Sequence, residues 1–397
     1  MEYSKVGKYY EVFSGYAFKS QDLKETADIP IIKIGNISNG RNVINENMQF
    51  VSKELLGINK KYYVNRGDVL LSLTGSHMNQ PNSVVGRSCR NYSDRLYLLN
   101  QRAGKIVPKN NASLSYIYYV LQTQAMKEMI CCRAYGAANQ VNVSPKSIMS
   151  IKWNFPSSDV QHSIASILST YDTLIENNTK RIRLLEKMAE NLYKEWFVRF
   201  RFPGHENVEM ENGLPKGWTV EKVKDWCRVF TGRKDVNQTV EGGKYAFFSC
   251  SPNMFHSDEY IYDGKAVLIA GNGSYTGRTR YFEGKFDLYQ RTYAVVSDRP
   301  DDDFMFYLFL RFKYDFEPLH NGGTRGSAIP YIVMKDITKY KFLYDTDIVK
   351  CYTERVKPMF DEIDNLQHQN SLLARQRDLL LPRLMSGKLE VKEELLE

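Results

Sequence analysis

One pattern occurs twice in this chain and limits what it can fold into. KVGKYYEVFSG at residues 5–15 and KVKDWCRVFTG at residues 222–232 share Lys, Val, an aromatic, Val-Phe, a hydroxyl residue and Gly at one offset of 217. Further on, QRAGKIV (residues 101–107) answers QRTYAVV (residues 290–296) at an offset of 189. A Gly-rich segment with a nearby Pro follows in each half, YGAANQVNVSP at residues 135–145 and NGGTRGSAIP at residues 321–330. Each leads into an Ile- and Lys-bearing run that ends in aromatics, KSIMSIKWNF and VMKDITKYKF. Four matches in one order describe two copies of a single unit, the second 28 residues shorter between its first two landmarks. Loops absorb such length differences more readily than strands or helices do.

A long helical pattern closes each half. Tyr171, Ile175, Asn178, Ile182, Leu185, Ala189, Leu192 and Trp196 alternate spacings of four and three, a heptad seam. Met359, Ile363, Leu366, Asn370, Leu373, Arg377, Leu380 and Leu384 repeat it. At 1.5 Å per residue the first seam makes a rod of roughly 40 Å. Two seams in one chain are best buried against each other, with Asn178, Asn370 and Arg377 fixing register at some cost in stability. The helix-pairing or partner-interface set is Tyr171, Ile175, Ile182, Leu185, Leu192, Ile363, Leu366, Leu373 and Leu380. Leu174, Leu184, Met188, Leu372, Leu379 and Leu381 lie off the seam and are free for a partner.

The segments before each helix predict mixed α/β globules. Runs such as IPIIKIGNI (29–37), DVLLSLTG (68–75), GKAVLIAG (264–271) and RTYAVVS (291–297) are strand-like and bounded by turn residues. Residues 201–218, with two Pro and three Gly and no periodicity, predict a linker. The expected fold class is α+β: globules at 1–157 and 203–345, long helices at 158–202 and 346–397.

Composition sets outer limits. A 397-residue chain with 43% hydrophobic and 25% charged residues can bury more than one core. The longest apolar run, FMFYLFLRF at residues 304–312, is too short to span a bilayer. The N-terminus lacks the build of a signal peptide, and the six cysteines form no CxxC spacing. A reducing cytoplasm and no membrane partner are therefore expected. The net charge of +8 permits a polyanionic partner without requiring one.

No catalytic signature stands out. There is no GxxxxGK[ST] loop, no HExxH and no His/Cys set with metal-ligand spacing. AGNGSYTGR at residues 270–278 reads as a Gly-rich turn, not a dinucleotide fingerprint. Asp263 with Glu283 and Lys285 has the loose form of a metal-dependent nuclease, which keeps open a single-chain DNA nuclease or methyltransferase. A coiled-coil protein-interaction scaffold is the other alternative. What recurs instead is a supply of base- and phosphate-binding side chains in the loops. In the first half these are Ser76, His77, Asn79, Gln80, Arg87, Arg102, Arg133, Asn139, Gln140 and Asn142. In the second they are Asn272, Ser274, Tyr275, Arg278, Arg280, Arg291, Thr324 and Arg325.

Three stretches carry a family resemblance. NGLPKGWTVEKVKDW (212–226) resembles a Leu-Pro-x-Gly-Trp opening, FPSSDVQHSIASILSTYDTLIENN (155–178) a central helix, and LLARQRDLLLPRLMSGKLEV (372–391) a C-terminal helix and tail. Together they resemble the specificity (S) subunit of type I restriction–modification enzymes. The chain departs from the family's Pro-x-x-Glu-Gln before the central helix, where only Gln161 survives. The resemblance implies two target-recognition domains reading the halves of a split, asymmetric site on double-stranded DNA, held apart by paired antiparallel helices. It also implies a non-catalytic subunit with no cofactor of its own. S-adenosylmethionine would belong to two methyltransferase (M) subunits, and ATP and Mg to the restriction or motor (R) subunits.

Overall fold

The computed structural model of the chain describes every residue except 1, 39–42, 46, 77–83, 138–139, 298, 300–301, 321–328 and 392–397. Its contacts divide the chain into one unit of residues 1–177 with 369–397 and a second of residues 178–368. Each unit takes its own share of the two long helices.

In the first unit a four-stranded sheet runs in the order Tyr10–Ser14, Ala103–Pro108, Val69–Ser72, Ser88–Arg90, every pair antiparallel. Val69, Leu70 and Leu71 are fully buried because both faces of this central strand are covered. A second sheet orders Gln49–Val51, Ile29–Ile32, Tyr97–Leu99 and Tyr63–Val64. The main core gathers the strand residues with the helix Leu114–Gln122, the start of the first long helix (Ile164, Ala165, Leu168) and the end of the second (Leu384, Met385).

In the second unit the two sheets fuse. Six strands run in the order Arg228–Thr231, Thr292–Val296, Tyr262–Ala270, Thr279–Leu288, Tyr245–Phe248, Met254–Ser257. Thr279–Leu288 is one long strand where the first unit has two short ones, Ser88–Arg90 and Tyr97–Leu99.

The backbone confirms that the units are copies. Leu73 donates to Arg102 O and accepts from Val143 N, and Gly271 donates to Arg291 O and accepts from Ile332 N. Ser72 N bonds to Arg87 O and Ala270 N to Arg278 O. Matched in this way, the 28-residue shortfall falls mostly before the central strand, with 7 residues in the loop after it.

The long helices run Ser158–Tyr193, ending in a π-helical turn Lys194–Val198, and Thr346–Met385. The seam residues from Tyr171 to Trp196 and from Met359 to Leu384 are all buried or half-buried, as amphipathic spacing requires. In the second unit Arg181 pairs with Glu362 at 2.7 Å and the Tyr352 hydroxyl donates to Ala189 O, so the helix segments run antiparallel. In the first, Asp172 accepts from Arg377 (2.5 Å) and Tyr119 (2.6 Å), satisfying the polar seam residue.

Several expectations need correction. Residues 29–37 are strand only to Ile32, because Asn36 accepts from Lys33 N and donates to Ile44 O, turning the chain into a 3₁₀ turn. The stretch 201–218 is packed and not merely a linker. Phe202 and Trp218 are buried and stacked 5.2 Å apart, and Asn212-Gly213, both at positive φ, close a short hairpin. The C-terminal helix stops at Met385 and runs through Pro358 and Pro382. Leu381 packs on the first unit's core and does not join the exposed residues.

Candidate nucleic-acid interface

Most of the anticipated readers that the structure describes gather at one end of each unit's central strand. In the first unit Leu73 breaks the strand, and Thr74–Gly75 goes on to pair with Gln140–Asn142. The Thr74 hydroxyl donates to Asn142 Oδ1 at 2.7 Å. Arg87 and Arg102 flank this strand end on its two neighbours, and Ser76 and the exposed Gln140 extend from it. Arg133 does something else: its Nη1 donates to Met129 O and closes the end of the helix Gln124–Cys131. His77, Asn79, Gln80, Asn139, Thr324 and Arg325 lie outside the described residues.

The Gln-Arg dipeptides occupy matching tight turns. Ala103 N bonds to Asn100 O and Thr292 N to Tyr289 O, so Gln101-Arg102 and Gln290-Arg291 are the exposed central pairs of two β-turns. Arg87 and Arg278 also match. Each follows a glycine at positive φ, Gly86 (77°) and Gly277 (86°), whose N–H bonds back to the strand end.

In the second unit the loop after Ala270 is held by backbone bonds. Gly273 N and the Thr276 hydroxyl both reach Pro330 O, and Asn272 pairs with Tyr331. Ser274 and Tyr275 stand exposed on it. Arg278 lies over the Tyr275 ring at 5.7 Å, and Arg280 over Phe248 at 5.0 Å while donating to Pro252 O at 2.6 Å. Burial lowers the proton affinity of both guanidinium groups, and the charge of Arg278 lowers that of Arg280 further. Both stay charged at neutral pH.

Cys250 and Thr292 belong to this same place but gave no signal in the sequence. The Cys250 thiol donates to Asn272 Oδ1 at 3.2 Å and lies 3.7 Å from Thr292 Oγ1. They lie 42 residues apart in the chain, Cys250 just past one strand and Thr292 at the start of another, and spacing alone could not have joined them. All six cysteines are free thiols. Among the described residues no group of three His, Cys, Asp or Glu is placed to hold a metal, and Asp263 faces Lys285 across the strand pair.

Comparison with known proteins gives one consistent answer. A family model described as the type I restriction modification DNA specificity domain matches residues 1–187 and 215–343. The type I restriction enzyme MjaIX specificity subunit of Methanocaldococcus jannaschii is 28% identical over 74% of this chain and 73% of its own length. The putative MjaX specificity subunit of the same organism is 24% identical over 93% of this chain and 89% of its own. The crystal structure of a type I restriction-modification S subunit from M. genitalium superposes with a TM-score of 0.63 at 14% identity, covering 96% of this chain and 95% of that one, a likeness of fold.

Proposed function

Because this chain belongs to the type I restriction–modification DNA specificity family, we propose that its two units each read one half of a bipartite, asymmetric site on double-stranded DNA. A specificity subunit is the DNA-recognition component of a type I complex and not its catalyst. The observation that carries the bipartite reading is the doubled framework. Arg87 and Arg102 in one unit and Arg278 and Arg291 in the other hold the same backbone stations, while the loops around them differ in length and sequence. Equal stations give both units a way to meet the duplex, and unequal loops give each its own bases.

The DNA contacts, to backbone or to bases, are assigned to Ser76, Arg87, Arg102, Gln140, Asn142, Asn272, Ser274, Tyr275, Arg278, Arg280 and Arg291. Arg133 is left out because it serves its own helix. The complex supplies the chemistry through two M subunits holding S-adenosylmethionine and through R subunits using ATP and Mg. Leu174, Leu184, Met188, Leu372 and Leu379, exposed on the long helices, suit M-subunit docking. No described helix is long and apolar enough to cross a membrane. The working place assigned is the cytoplasm, where the DNA is.

Mapping methylated adenines in host DNA with and without this chain tests the reading. One motif of two different blocks around unread bases should vanish from the methylated set when the chain is removed. An unchanged map, or loss of a single continuous motif, would refute it.

A further inference from the structure

We infer that an open recess in the second unit, between Arg278, Arg280 and residues 249–251, is a site for one phosphate group of the DNA backbone. The inference rests on the DNA-specificity reading and adds a division of labour to it: this arginine pair holds the strand and does not read bases.

Four observations converge on an anion. Arg280 lies in the strand Thr279–Leu288 and Arg278 immediately precedes it, two positions away, and both side chains line the same recess. Among the described residues neither forms an ion pair with a carboxylate. Glu317 is the acidic group Arg278 feels, and its Oε2 is already held by Thr279 N at 3.0 Å and the Thr279 hydroxyl at 2.8 Å. Among the described residues Arg278 Nη1 is buried with no hydrogen-bond partner, a donor left over for a ligand. Ser249 and Ser251 line the recess too, and each hydroxyl oxygen accepts a backbone N–H, from Ser251 and Asn253, which leaves its own proton to give.

Two half-desolvated cations side by side repel each other and call for a shared negative charge. The apolar lining of Leu268 and Ala270 lowers the local dielectric and strengthens that call. A phosphate takes donors from several directions at once, whereas the guanine edge takes one planar fork. Guanidinium N–H and hydroxyl O–H groups around one recess fit the first geometry. The first unit lacks the second arginine of the pair. The position matching Arg280 in the first unit is Cys89, fully buried beneath the separate second sheet, with its thiol pushed up to about 12 by that burial.

The test uses the full chain in complex with its methyltransferase partners. Binding to a duplex carrying the recognised site and to a scrambled duplex is measured by fluorescence anisotropy over a range of salt. Arg278→Gln with Arg280→Gln should weaken both duplexes by a common factor of about ten or more. The slope of log affinity against log salt should become shallower by about 0.9, the share of one phosphate. Arg278→Lys with Arg280→Lys should restore most of both, since an ammonium serves a phosphate but not a bidentate base contact. Weakening confined to the specific duplex, or a Lys pair as poor as the Gln pair, would make the arginines base readers and overturn the site. Unchanged affinity and slope would overturn it as well. A wild-type complex with no salt-dependent duplex binding would instead bring down the DNA-specificity reading beneath it.

Discussion

Gly15 and Gly232 show how a repeated letter becomes a physical requirement. A Cβ built at Gly15 would lie 2.2 Å from Leu99 O, and one at Gly232 would lie 1.8 Å from Leu288 O. Both residues bring the opening strand against the strand that carries the parallel pairing, and no side chain fits between the two main chains. Gly232→Ala should therefore cost about 1–3 kcal/mol or more through forced backbone displacement. Thermal unfolding should show the loss as a lowered transition. Gly57→Ala, which meets nothing within 4 Å, should stay within about 0.5 kcal/mol of wild type. The echo of the two glycines was visible in the sequence, but its cause was not, because the carbonyls that exclude a side chain lie 84 and 56 residues further on. Gln161 is similar. Buried at the helix start, it accepts from the Tyr10 hydroxyl at 3.1 Å and donates to Pro156 O at 3.0 Å. That role explains why the helix begins at Ser158 although the rest of the family's usual opening is missing.

Among the elements, the long helices were the most legible. A period of three and four sustained over many turns leaves few alternatives, and the seam read from spacing is the face the structure buries. Short strands were less legible. Val69–Ser72 and Thr74–Gly75 read as one run, because the break at Leu73 comes from backbone bonds to Arg102 and Val143, both remote in sequence. The matching of Arg87 with Arg278 was hidden by the unequal loops before them. The helices also invite a direct test. Leu185 and Leu373 are half-buried seam residues, one in each unit. Changing both to Asp puts a carboxylate at each half-buried seam position in place of a packed leucine, at a cost of about 2 kcal/mol or more. Co-purification with the methyltransferase subunits and the unfolding temperature should both fall. If neither moves, the seam does not hold the helices together.

For the whole molecule, two copies with separate loops predict modular reading. Exchanging residues 216–341 for the matching segment of a related specificity subunit replaces most of the second unit's strands and loops while keeping both long helices. The methylated motif should then change in one block and keep the other, as read by sequencing modified adenines. A change in both blocks would show that the units do not read independently. The division of the chain also sets an order in time. Residues 178–368 form one uninterrupted stretch, but the first unit is closed by residues 369–397, which are made only after that stretch. At about 5–20 residues per second, the stretch between takes roughly 10–40 s to synthesise. Through that interval Ile164, Ala165 and Leu168 wait without Leu384 and Met385 to complete their core. The unit begun earlier is therefore completed later than the one that interrupts it, and a chain truncated before Gln369 would leave its earlier half, not its later one, sticky and open to proteases.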